Sequence, residues 1–253
     1  MTSSITLPQP ESIGRWLLAI GMTACLAGLL TSPAQAAPFE DSIAQRTLAC
    51  IACHGPQGRA APDGYYPRLA GKPAGYLYNQ LLNFRDGRRH YALMTQLLDP
   101  LTDAYLMEIA QYFSQLDVPY LPPLPSTASA ALLARGQRLV LQGEPERQVP
   151  ACVQCHGQAM TGVNPNIPGL LGLPRDYLNA QLGAWKSNRR GAHAPDCMRA
   201  VVERLTVEDI NAVGSWLAAQ PLPDSTKPAA AMPPLAAGTV AFNCGSATAK
   251  AKP

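Results

Sequence analysis

"CIACHG" (residues 50–55) recurs as "CVQCHG" (residues 152–157), and this recurrence organises the chain. In each copy two cysteines stand three apart and a histidine follows the second. On a helical turn, positions i, i+3 and i+4 lie on one face. Both thiols and the imidazole therefore point the same way. The similarity continues downstream. "PRLAGKPAGYLYNQLLNFRDGRR" starts at Pro67 and "PGLLGLPRDYLNAQLGAWKSNRR" at Pro168, an offset of 101 that pairs Tyr76 with Tyr177, Gln80 with Gln181 and Arg88 with Arg189. After a three-residue insertion, "MTQLLDPLTDAYLMEIAQYF" from Met94 aligns with "MRAVVERLTVEDINAVGSWL" from Met198. A period this long marks a duplicated domain rather than a solenoid.

Cys-x-x-Cys-His is the attachment pattern of c-type haem. Cys50 and Cys53 can each bond a vinyl group as a thioether, leaving His54 to meet the iron. Cys152, Cys155 and His156 repeat the arrangement. A thioredoxin-like pair would need a βαβ context, which the sequence lacks. A zinc site built from both pairs would leave the two histidines unexplained. The expectation is two covalently bound haem c groups, each with its iron.

The surrounding sequence reads as helical. Thr102 can cap a helix with Leu106, Ile109, Ala110 and Phe113 on its apolar face. Thr206 can cap the equivalent, with Asp209 completing a capping box and Ile210, Val213 and Leu217 on the face. "DVPYLPPLPSTAS" (residues 117–129) carries prolines that exclude regular helix and reads as a semi-rigid linker. The expected organisation is a first domain at 37–116, the linker at 117–129, a second domain at 130–220 and a Pro/Ala-rich tail at 221–253. Each domain is small for a self-sufficient core, and a covalently held macrocycle would supply apolar bulk. Low aromatic content and 25 prolines argue against a large all-β core, and a net charge of +3 without a basic run argues against nucleic acid as partner.

The first 36 residues have the order of a signal peptide. Arg15 precedes the apolar run "WLLAIGMTACLAGLL", and Ala34 and Ala36 flank Gln35 in an A-x-A site. The run is shorter than the roughly 18–20 residues of a spanning helix. Cleavage after Ala36 and a periplasmic mature chain are expected. An uncleaved anchor and a lipidated Cys25 are the alternatives.

Each iron needs a partner opposite its histidine. Met94 and Met198 occupy equivalent places, each eight residues before the capping threonine. Register equivalence favours them over a gap-filling role in the core. His90, His193 and Cys197 are rivals near those methionines; bis-His ligation would lower the potential relative to His/Met. Pro67 and Pro168 follow the motif histidines by thirteen and twelve residues. A carbonyl in each P-x-L-x-G stretch could accept the histidine Nδ1 proton and fix the ring, against a plain role as turn prolines.

Taken together, the two motifs, "YPRLAGKPAGYLYNQLLNF" and "MTQLLDPLTDAYLMEIAQYF" resemble the cytochrome c4 family of dihaem class I cytochromes, over roughly residues 45–220. The resemblance implies an all-α fold of two tandem class I cytochrome c domains related by approximate two-fold symmetry, with the haems approaching each other at the interface. It implies His/Met ligation, carried here to His54 with Met94 and His156 with Met198, and it favours Pro67 and Pro168 as the stretches whose carbonyls hold the histidine rings. It implies periplasmic electron transfer between redox-protein donors and an oxidase or other acceptor, by proteins that are soluble or loosely membrane-associated. The chain departs from the pattern at Cys197, directly before the second methionine, and in its tail, which contains Cys244. With four of the six cysteines beyond Ala36 committed to haem, a Cys197–Cys244 disulfide is expected to pin the tail beside the second haem.

Two closed, six-coordinate irons would make an electron carrier rather than an enzyme. The competing class is a dihaem enzyme resembling thiosulfate dehydrogenases, which can use a cysteine thiolate as axial ligand, or dihaem peroxidases. A third reading is a haem subunit of one dehydrogenase complex, docked through the tail. Arg88, Arg89, Arg189 and Arg190 are candidates for partner contacts or haem propionates, against a plain role as solvated helix-end charges.

Overall fold

The computed structural model describes residues 41–60, 64–123, 125–234 and 243–248. The expected signal peptide and its cleavage site lie outside these. Among the described residues, no helix is long and apolar enough to cross a membrane.

The first half contains α1 (Ile43–Arg46), α2 (Leu48–His54), α3 (Ala74–Arg85), α4 (Ala92–Leu98) and α5 (Asp103–Gln115). The second contains α6 (Ala130–Leu141), α7 (Val153–His156), α8 (Arg175–Lys186), α9 (Cys197–Glu203) and α10 (Val207–Ala218). Thr102 caps α5 by accepting from Tyr105 N, and Thr206 with Asp209 forms the capping box of α10. The expected apolar faces are the buried ones: Leu106, Ile109, Ala110 and Phe113 on α5, and Ile210, Val213 and Leu217 on α10.

Each half has its own core. In the first, α3 packs on α5 and α4, and Leu77, Leu82, Phe84, Leu106 and Phe113 meet. In the second, α10 packs on α6 and α8, and Val140, Leu178, Trp185, Val202 and Leu217 meet. Cys50 and Met94 pack against the first core, Cys152 and Met198 against the second.

The sequence reading missed a small hairpin in the second half. Strand β1 (Gly162–Val163) pairs antiparallel with β2 (Ile167–Pro168), Val163 opposite Ile167. The tail adds to it, because Ala229 exchanges hydrogen bonds with Gly162 and Asn164. Elements this short carry too little alternation to be read from sequence. Residues 117–123 and 125–129 are irregular, as their prolines require. This segment is nonetheless fastened: Arg68 donates to the carbonyls of Val118 and Pro119, and its guanidinium lies 3.8 Å from the Tyr120 ring centroid.

The halves meet about a pseudo-two-fold axis. Arg89 and Arg190, equivalent under the 101-residue offset, form an antiparallel bridge, in which His90 N donates to Arg189 O at 2.9 Å and Gly191 N to Arg88 O at 2.6 Å. The loop before β2 packs on the start of α3, where Tyr76 N donates to Pro165 O at 3.1 Å. Gly75 is required there, because a Cβ would strike Asn166 Oδ1 and lie 2.8 Å from Pro165 O. Reciprocally, Gly64 lies against Pro174.

Candidate haem sites

Both motifs fold as helical turns. Cys50, Cys53 and His54 lie on α2, while Cys152 immediately precedes α7, which carries Cys155 and His156. None of the four cysteines is joined in a disulfide. Burial pushes the thiols of Cys50 and Cys155 up, and that of Cys152, with some help from Cys155, up to about 12. No three His, Cys, Asp or Glu side chains come together as a bare-metal site among the described residues, so the two pairs do not share a zinc site.

The imidazoles of His54 and His156 are buried in equivalent settings. His54 Nδ1 lies 2.8 Å from Pro67 O, and His156 Nδ1 lies 2.8 Å from Pro168 O. A carbonyl only accepts, so each Nδ1 carries the proton. Each Nε2 is left with a lone pair, the form an iron ligand needs. Burial lowers the pKa of both rings despite this bond, with Arg89 adding to the effect at His54 and Lys72 at His156.

Met94 and Met198 are half-buried on α4 and α9, equivalent helices packed on α3 and α8. The rivals are placed otherwise. His90 is exposed. His193 Nε2 lies 3.4 Å from Arg88 Nη2. Cys197 is joined to Cys244 in a disulfide, as expected, and has no thiolate to offer while that bond is intact.

The arginines were expected at partner contacts, at haem propionates or as solvated helix-end charges, and two of them are drawn into the interface between the halves. Arg89 donates to Gln80 Oε1 at 3.1 Å and Gln181 Oε1 at 2.6 Å; Arg190 donates to Gln181 Oε1 at 2.7 Å and Gln80 Oε1 at 3.1 Å. The result is a symmetric ring on the pseudo-two-fold axis. Arg190 stacks on Trp185 and Arg89 on the equivalent Phe84. Burial and the neighbouring Arg89 push the Arg190 guanidinium below its usual range. Burial would keep the Tyr76 phenol neutral, but Arg190, Arg89 and Lys72 outweigh it and pull its pKa down. Sequence reasoning missed this cluster because nothing local distinguishes an arginine after a helix from one folded into an interface.

Among the described residues, no carboxylate lies within 4 Å of Lys72, Arg89 or Arg190. Lys72 and Arg190 are buried and Arg89 half-buried, and buried cations without carboxylates call for an anion from elsewhere. A haem presents two propionates, so this cluster, the neutral Nε2 atoms and the paired thiols together fit the group.

Relatives give the same answer. The chain is 34% identical over 171 residues to cytochrome c4 of Thiocapsa roseopersicina, a span of 66% of this chain and 85% of that one. The chain belongs to the cytochrome c4 family. It is thus a dihaem electron-transfer protein of two tandem all-α cytochrome domains, with two covalent haem c groups and redox proteins as partners. It is 44% identical over 183 residues to the thiosulfate dehydrogenase electron acceptor of Thiomonas intermedia, covering 72% of this chain and 82% of that one. The solved cytochrome c4 of Pseudomonas stutzeri superposes with a TM-score of 0.58 at 31% identity, covering 68% of this chain and 94% of the other. The thiosulfate dehydrogenase TsdBA of Marichromatium purpuratum gives 0.61 at 34% identity, and this cytochrome c4-type chain covers 36% of its length. No family model matches the chain.

Proposed function

We propose that this chain is a periplasmic electron carrier, not an enzyme, that takes electrons from a thiosulfate-oxidising dehydrogenase and passes them to an oxidase or another acceptor. Cys50, Cys53, Cys152 and Cys155 hold the two haems, His54 and Met94 ligate the first iron, and His156 and Met198 the second. The haem irons supply one-electron exchange when bound. The chain supplies the rest. Pro67 and Pro168 keep the Nδ1 protons and orient the rings. Lys72, Arg89 and Arg190 offset propionate charge, and the paired cores exclude water.

The observation that carries the reading is the equivalence of the two sites. Both have a buried histidine tied to a proline carbonyl and a methionine in the same register. A dihaem enzyme needs one site built differently, and the residue that could have made the difference, Cys197, is in a disulfide. The relative named as an electron acceptor of thiosulfate dehydrogenase supports that donor. Export after Ala36, domains at 37–116 and 130–220, and a docking role for the tail belong to the same proposal.

Near-infrared magnetic circular dichroism of the ferric protein, quantified per haem, is the test. Two methionine-to-iron bands are expected, with rapid reduction by a thiosulfate-reduced dehydrogenase and no thiosulfate turnover by the protein alone. A thiolate band, or thiosulfate oxidation without the dehydrogenase, would move the chain among the enzymes.

A further inference from the structure

Lys72 belongs to the first half, in the turn before α3, yet its ammonium reaches the second. The residue is 6% exposed, and Nζ donates to Gly169 O at 3.5 Å. Gly169 adjoins Pro168, whose carbonyl holds His156 Nδ1. The charge therefore stands against the loop that orients the second imidazole.

Its equivalent under the 101-residue offset is Leu173, buried in the second core. The equivalent position in the second half therefore carries no charge. Arg89 with Arg190, Gln80 with Gln181 and Tyr76 with Tyr177 are matched across the axis. Lys72 is where the match breaks. A buried positive charge beside a redox centre disfavours the oxidised, more positive form, and salt screens it weakly.

We infer that Lys72 sets the potential of the second haem, so that the first half biases where a single electron rests in the molecule. This rests on the reading above that a haem sits at His156. The test is a spectroelectrochemical titration of the full holoprotein, with the two haems distinguished by haem-methyl resonances assigned through contacts to Cys50 and Cys53 or to Cys152 and Cys155. Lys72→Met removes the charge and keeps the apolar stem. Lys72→Gln removes the charge and keeps a donor for Gly169, and serves if the Met variant does not accumulate. Either is expected to shift the one-electron-reduced state toward the first haem by about tenfold, which is about 59 mV for a one-electron couple. Lys72→Arg should restore the wild-type distribution, with the near-infrared ligand bands unchanged throughout. Two haems per chain with an unmoved gap, or with both potentials lowered equally, overturns the inference alone. Fewer than two haems per chain by pyridine haemochrome overturns the haem reading and the inference with it.

Discussion

Asp209 shows how one carboxylate can serve two purposes. Its Oδ2 completes the capping box by accepting from Thr206 N at 2.9 Å, and also accepts from Arg147 at 2.8 Å, while Oδ1 accepts from Arg135 Nε at 2.7 Å. Burial alone would raise its pKa. The Thr206 backbone bond and the Arg147 and Arg135 guanidinium groups prevail and hold it at about 2, against an ordinary 3.8. A carboxylate more acidic when folded than when unfolded stabilises the protein above its unfolded pKa. That stability, on the order of 2 kcal/mol at most given the partly exposed arginines, is lost as pH falls from about 4 to about 2. Acid titration of unfolding should show it as steepening over that window, and Asp209→Asn should remove the steepening and lower stability at pH 7. The capping box was legible in the sequence because Thr206 and Asp209 stand three apart. The two arginines were not, since Arg135 and Arg147 are 74 and 62 residues away.

At the scale of elements, the crossing of α6 and α10 depends on a missing side chain. A Cβ on Gly136 would strike the Ala212 carbonyl and lie 2.7 Å from Trp216 Cβ. Gly136→Ala should cost about 1–3 kcal/mol through overpacking, measured as a lower denaturant midpoint with haem content retained. A midpoint equal to wild type would mean that the helices separate without penalty. Helix positions such as α5 and α10 were readable because capping and apolar period agree locally. The haem turns were readable for the same reason: Cys50, Cys53 and His54 lie within five residues. The carbonyl partners of His54 and His156 were anticipated through the family resemblance, since the spacing of Pro67 and Pro168 alone fits an ordinary turn proline as well. The tail pairing of Ala229 with β1 was not, because a few residues far from their partner leave no periodic trace.

For the whole molecule, the tail is a strap. Cys244 bonds Cys197 at the start of α9, Gly245 N donates to Pro195 O at 3.0 Å, and Asn79 Nδ2 on α3 donates to Ser246 O at 3.2 Å. One covalent anchor in the second half thus draws the tail onto the first. A link across 47 residues restricts the unfolded chain by about 4 kcal/mol in the loop-entropy account. Cys244→Ser or mild reduction should lower the melting temperature and expose the Asn79 region to hydrogen exchange. If the α3 amides keep their protection in the variant, the strap does not join the halves. The pairing itself was anticipated by counting cysteines, whereas its reach to Asn79 needed coordinates.

The same disulfide sets a problem of manufacture. On the proposed attachment, four of the six cysteines after Ala36 must remain thiols long enough to become thioethers, while Cys197 and Cys244 pair. Six cysteines allow 15 pairings. Cys155 and Cys152 are closer to Cys197 in sequence than its partner Cys244 is. Haem attachment at the second motif would withdraw those competitors. Correct oxidation is thereby tied to haem delivery, and chain made in a cell short of haem should show, by non-reducing peptide mapping, cross-links through its own attachment thiols.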